Sequence, residues 1–132
     1  MPPAGPVYLS VPLDDWDAYI QHEPPIRTFS KKVAPEPKRL AEFAARISNA
    51  KNLTVVVGPE VDKSLGWAAT IRLAELLKCP VYLSPLSERI SFPFSSPLFA
   101  GSLPIARGPL STAITGRDLV LVIGAEIWRY CM

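Results

Sequence analysis

The chain has 132 residues, 48% of them apolar and 20% charged, with a net charge of +2 from 14 basic and 12 acidic side chains. At about 150 residues per domain this is room for one core, and the composition is that of a globular protein, not a disordered one. Near-balanced charge gives no electrostatic case for nucleic acid or an anionic membrane, and no apolar run reaches the roughly 18 residues of a membrane span.

Met1-Pro2-Pro3-Ala4-Gly5-Pro6 has neither a basic region nor an apolar core, so it does not read as a signal peptide. Two cysteines 52 positions apart, Cys79 and Cys131, then argue for a reducing, cytoplasmic setting without a disulfide framework. They lack metal-ligand spacing. His22 is the only histidine, which excludes most metal hydrolases and any histidine-dependent triad that does not use it.

Proline organises the chain. Of 15 prolines, eight fall in residues 1–37 and six in 80–109, with only Pro59 between and none after Pro109. Proline is kept out of element interiors, so regular structure is expected in the two sparse zones. Val7–Val11 alternates between Pro6 and Pro12 and reads as one short strand. Residues 13–35 show no period and read as a linker, which places that strand in a different domain from the rest of the chain.

From Pro37, Leu40, Phe43, Ala44 and Ile47 form the stripe of an amphipathic helix, with Pro37 in its first turn. Leu53–Gly58 is a β-branched run, apolar on both faces as a buried parallel strand should be. Asp62 can cap a second helix in which Ala69, Leu73, Leu76 and Leu77 share a face, stopped by Pro80. Val81–Leu83 reads as a second strand, and residues 84–108 as loop. A short helix near Leu110–Thr115 ends at Gly116, and Leu119–Gly124 is a third buried strand. The order predicts an α/β fold with a three-layer, mostly parallel open sheet, half of a doubly wound one.

Several residues invite a chemical reading. The turn Gly58-Pro59-Glu60-Val61-Asp62 sits where dinucleotide folds seat a pyrophosphate. Yet it has one glycine where that fingerprint has three, a proline without an N–H, and two carboxylates that repel phosphate. A plain turn with a helix cap is the favoured reading. Asp14, Asp15 and Asp17 around Trp16 could bind a hard cation, but neighbouring side chains diverge, and a solvated linker start is favoured. His22 lies in the linker without a nucleophile. Cys79 reads as a buried small hydrophobe. Phe92, Phe94 and Phe99 read as loop anchors. Glu126–Cys131 comes after the third strand at its carboxyl end, where open α/β sheets place ligands.

These residues resemble a known family. Gly5–Pro12 with Asp14-Asp15-Trp16-Asp17 resembles the end of the pyrimidine-binding domain of thiamine-diphosphate-dependent decarboxylases, in the branch that acts on benzoylformate. Val57–Asp62, Lys78–Tyr82, Phe92-Pro93-Phe94, Asp118–Ala125 and Ile127–Tyr130 look like landmarks of that family's central domain, in the same order. The resemblance implies residues 1–13 as the last strand of the pyrimidine-binding domain, 14–35 as the interdomain linker and 36–132 as the first half of a Rossmann-like central domain.

It implies a parent lyase in which the thiazolium ylide adds to the carbonyl of an aromatic 2-oxo acid, carbon dioxide leaves and an aldehyde is released. The cofactor carries the hard chemistry and the protein orients and moves protons. Thiamine diphosphate and Mg²⁺ would serve the parent enzyme without binding to residues of this chain, because the family's cofactor-activating glutamate and its metal-binding segment lie in other domains. The implied partners are the remaining domains and further copies, a tetramer, with no nucleic acid and no membrane. The resemblance also marks Tyr130 and Cys131 as substrate-pocket residues. Cys131 stands where the family has a catalytic histidine, and a truncation or frameshift is the expected reason. The family's central domain has six strands against the three expected here. The isolated chain is therefore expected to be inactive, and the alternative is a non-catalytic α/β module that binds a nucleotide or a partner.

Overall fold

A computed structural model describes residues 5–27 and 33–127. By its contacts the chain divides into two units, Met1–Pro37 and Lys38–Met132.

In the first unit Val7–Val11 pairs with no other strand among the described residues, and Val7, Tyr8 and Leu9 are exposed. Among the described residues no neighbouring strand supplies the second row of hydrogen-bonding groups that the expected strand needs. The regular feature is a 3-10 turn, Leu13–Asp17, in which the Asp15 N–H donates to the Pro12 carbonyl at 3.2 Å. Asp14, Asp15, Trp16 and Asp17 are solvent-exposed around it, and so is His22.

The second unit is an all-parallel four-stranded sheet: β1 (Leu53–Val57), β2 (Val81–Leu83), β3 (Phe99–Ser102) and β4 (Leu119–Ile123), in the order β3-β2-β1-β4. Its helices are α1 (Pro37–Asn49), α2 (Pro59–Lys63), α3 (Trp67–Leu77) and α4 (Arg107–Ile114). The expected α/β architecture is present. β1 lies between β2 and β4 and is buried throughout, so its Leu-Thr-Val-Val-Val run meets apolar layers on both faces. Val55, Val57, Val81, Leu83 and Phe92 form one core with Trp67, Ile71 and Leu77 of α3 packed on it. Val56, Leu103 and Ile127 form a smaller one on the opposite face, with Ala113 and Ile114 of α4. Helices on both faces of a sheet make the three layers.

Four details depart from the expectation. β3 lies inside the stretch read as loop. It is four residues long, contains Gly101 at φ +108° and pairs with β2 through an irregular register, so it carries little strand signal. The helix expected from Asp62 is two helices. Pro59 occupies the first position of α2, Leu65 takes a left-handed φ of 56°, and α3 restarts after Gly66. Asp62 caps nothing; its carboxylate accepts from the Arg89 guanidinium at 2.7 Å.

The face of α3 also differs. Thr70 and Ala74, one turn apart, are its buried residues, whereas Ala69 and Leu76 face solvent. Small side chains there let the helix approach the sheet. Finally, α4 starts earlier than expected, because Pro109 lies in its first turn, where no intrahelical N–H is needed. Along α1 the apolar stripe is real, but Leu40 and Phe43 are more than half exposed and only Ile47 packs on the core.

The amino ends of β1 and β4 are tied by a polar knot. The Lys51 and Asn52 backbone N–H groups donate to the Asp118 carboxylate at 2.6 and 3.0 Å. Asn52 also donates from its side chain to the Gly116 carbonyl and accepts from Arg117, each at 2.6 Å. The Lys51 N–H above all holds the Asp118 carboxyl below its usual range; desolvation opposes it, and the Asn52 N–H adds a smaller downward effect. A depressed native pKa means that the unfolded chain takes up the proton first as pH falls. The stabilisation is therefore present above the ordinary carboxylate range and is lost as pH drops toward the native value. Asp118→Asn should flatten the acid limb of a Tm-against-pH profile while leaving the neutral-to-alkaline part the same shape.

Candidate ligand cleft at the carboxyl ends of the strands

The chain runs outward from β1 to β2 to β3, then crosses back to β4 on the other side of β1. Loops after β1 and β4 therefore leave in opposite directions, and this switch point is where open α/β sheets bind ligands. A cleft of about 350 Å³ lies there. Glu60 and Lys63 reach it from α2, Ser84, Leu86 and Glu88 from the loop after β2, and Gly124 and Glu126 from the turn after β4.

Two segments singled out in the sequence, Gly58–Asp62 and the start of Glu126–Cys131, thus come together. No motif marks the Ser84–Glu88 wall; its only signal is a place after a strand, at the same end of the sheet. Trp128, Arg129, Tyr130 and Cys131 lie outside the described residues. Asp14, Asp15, Asp17 and His22 belong to the first unit.

The cleft's chemistry does not suit a pyrophosphate. Gly58 N–H donates to the Ile123 carbonyl at 3.0 Å, Glu60 N–H to the Gly124 carbonyl at 3.2 Å, and Val61 N–H to the Gly58 carbonyl at 3.1 Å. Pro59 has no N–H, so the donors a phosphate would use are spent on the fold. Glu60, Glu88 and Glu126 line the cleft. Its lysine, Lys63, sits with Nζ 2.7 Å from Glu60 Oε1. Among the described residues no three His, Cys, Asp or Glu side chains converge as a metal site would require.

Cys79, between α3 and β2, is 4% exposed in the larger core, and burial pushes its thiol up. A neutral, inaccessible thiol is a poor nucleophile. Native protein should label at Cys79 far more slowly than protein in denaturant, read by mass spectrometry of the peptide that contains it.

The family model described as "Thiamine pyrophosphate enzyme, central domain" matches residues 40–130. The chain belongs to this central-domain family. Benzoylformate decarboxylase of Pseudomonas aeruginosa is 39% identical over 134 residues, covering 98% of this chain and 25% of the relative. Among solved structures, an enzyme from Mycobacterium smegmatis described as thiamin diphosphate-dependent has TM-score 0.82 and 48% identity, covering 99% of this chain and 25% of that one. Benzoylformate decarboxylase from Polynucleobacter necessarius has TM-score 0.77 and 40% identity, with coverage of 92% and 23%. The chain thus spans about a quarter of the relatives' length.

In this thiamine pyrophosphate enzyme central domain, the cleft at the switch point does not suit a diphosphate. The donors at the head of α2 are occupied, and the cleft is lined by carboxylates. No helix among the described residues is long and apolar enough to cross a membrane.

Proposed function

We propose that this chain is a segment of a thiamine-diphosphate-dependent, Mg²⁺-requiring lyase that decarboxylates an aromatic 2-oxo acid such as benzoylformate. The observation that carries the reading is 39% identity to a benzoylformate decarboxylase over 98% of this chain. Residues 1–13 act as the last strand of the pyrimidine-binding domain, 14–35 as the linker and 36–132 as the first half of the central domain. Tyr130 and Cys131 contribute to the substrate pocket. The parent works in the cytoplasm as a homo-oligomer, a tetramer by resemblance.

Unfinished packing supports the need for further chain. β4 is Leu-Val-Leu-Val-Ile, as apolar as buried β1, yet it is an edge strand with all five residues partly or substantially exposed. Leu40 and Phe43 of α1 are likewise uncovered. Edge strands left open are usually short or charged, and this one is neither.

The function is tested by incubating the intact polypeptide and the 132-residue chain separately with thiamine diphosphate, Mg²⁺ and benzoylformate, and measuring aldehyde and carbon dioxide. The intact polypeptide is expected to turn over, and the short chain is expected neither to turn over nor to bind the cofactor in a calorimetric titration. Turnover by the short chain, or none by the intact polypeptide, would overturn the reading.

A further inference from the structure

We propose that the cleft at the carboxyl ends of β1, β2 and β4 binds a small aliphatic amino alcohol, whose ammonium meets the exposed Glu88 carboxylate and whose hydroxyl bonds the buried Ser84 side chain. The site stands beside the decarboxylase reading and does not depend on it.

Ser84 carries the argument. It follows β2 directly, and its backbone N–H donates to the Val57 carbonyl at 2.8 Å, which fixes it beside the end of β1. The residue is 3% exposed and lines the cleft. Its hydroxyl has no hydrogen-bond partner among the described residues. No described side-chain oxygen is both sealed from solvent and unpartnered, so this hydroxyl keeps an opening, and the cleft is the space that Ser84 lines. A hydroxyl taken out of bulk water without a partner is costly, and a ligand that bonds it recovers that cost.

The other groups choose the ligand's charge. Donors are scarce. Pro59 and Pro85 have no N–H, the Gly58, Glu60 and Val61 N–H groups are spent within the fold, and Lys63 Nζ lies 2.7 Å from Glu60 Oε1. Acceptors are plentiful, with Glu60, Glu88 and Glu126 in the lining. An ammonium has three donors and no acceptor, the complement of such a lining. Leu86, on the same wall as Glu88, is 59% exposed and offers an aliphatic surface to the ligand's stem.

The cleft's volume of about 350 Å³ falls in the range of small-molecule sites. Two of its walls are held together through glycine. A Cβ on Gly58 would meet the Gly124 carbonyl oxygen, and the Glu60 N–H donates to that same oxygen at 3.2 Å. This close contact sets the spacing of α2 from the turn after β4 before a ligand arrives, which lowers the ordering cost of binding.

The test titrates the intact polypeptide with terminal aminobutanol, followed by ligand-observed NMR, beside butylamine, butanediol and hydroxybutyrate. Aminobutanol is expected to bind, butylamine to bind more weakly, and the neutral and anionic analogues not to bind at the same concentrations. Ser84→Ala should weaken aminobutanol about fivefold and leave butylamine unchanged, because only aminobutanol loses a hydrogen bond. Glu88→Gln should weaken both amines about threefold at low salt, and less as salt screens the pair. Neither substitution removes a hydrogen bond of the fold. Glu75→Gln, exposed on α3 and outside the cleft lining, should change nothing.

No binding of aminobutanol, equal binding of butanediol or hydroxybutyrate, or unchanged affinity in Ser84→Ala and Glu88→Gln would overturn the proposal. Displacement of the amine by more tightly bound adenosine diphosphate would overturn it too and assign the cleft to a nucleotide. Turnover of benzoylformate enters none of these readouts, so their failure leaves the decarboxylase reading standing.

Discussion

Phe92→Ala is expected to destabilise the protein by roughly 3–5 kcal/mol, read from urea denaturation, because removing a buried ring loses its transfer energy and leaves a cavity. Phe92 is completely buried and packs in the larger core. It also lies in the stretch between β2 and β3 that has no helix or strand to hold it. Its ring anchors the segment that carries Leu86 and Glu88 into the cleft, so the same substitution should loosen that wall. The neighbouring Phe94 is more than half exposed, with its ring 4.8 Å from that of Phe99. Phe94→Ala should therefore cost far less, and comparable losses at the two positions would contradict this account of the loop.

Val55→Asp is expected to abolish cooperative unfolding and soluble expression. Val55 is 1% exposed at the middle of β1, with Val81 beside it on β2 and Leu121 on β4. The core around it is built of apolar side chains. A carboxylate there is unpaired or must stay protonated, at a cost of several kcal/mol. The total stability of a domain is only about 5–15 kcal/mol, and loss of valine packing adds to the deficit. The same change at Val122 on the edge strand, 37% exposed, is expected to cost about 1 kcal/mol in this chain. A folded Val55→Asp protein with an ordinary Tm would mean that β1 is not the sheet's interior.

Much of the fold is legible in the sequence because an unbroken apolar run leaves a plain mark, although β4, expected to be buried, is a partly exposed edge strand among the described residues. β1 and β4 are unbroken runs dominated by apolar residues, and the sequence places each to within a residue of its observed ends. β3 leaves no such mark, being a short edge strand with a glycine at an irregular register. The break between α2 and α3 is also invisible. It depends on Leu65 adopting φ 56°, a conformation that a leucine side chain does not announce.

The stripe on α1 identifies a helix correctly but not a buried face. Amphipathicity reports that a face will be covered, not that this stretch of chain covers it. At the cleft, Gly58–Asp62 is recognisable as the turn after a parallel strand, and its poor phosphate chemistry can be read from Pro59, Glu60 and Asp62. The opposing wall and the contact of Gly58 with Gly124 require the sheet order, because they join residues far apart in sequence across a switch point.

The measurement that tests the central claim most directly is the size and activity of the native polypeptide that contains this sequence. An antibody raised against the chain would be used to blot and to capture it from the source cell. A band several-fold heavier than 14.4 kDa, whose captured protein releases carbon dioxide from benzoylformate when given thiamine diphosphate and Mg²⁺, is the expected result. A single band at 14.4 kDa, or a heavier protein without that activity, would contradict it.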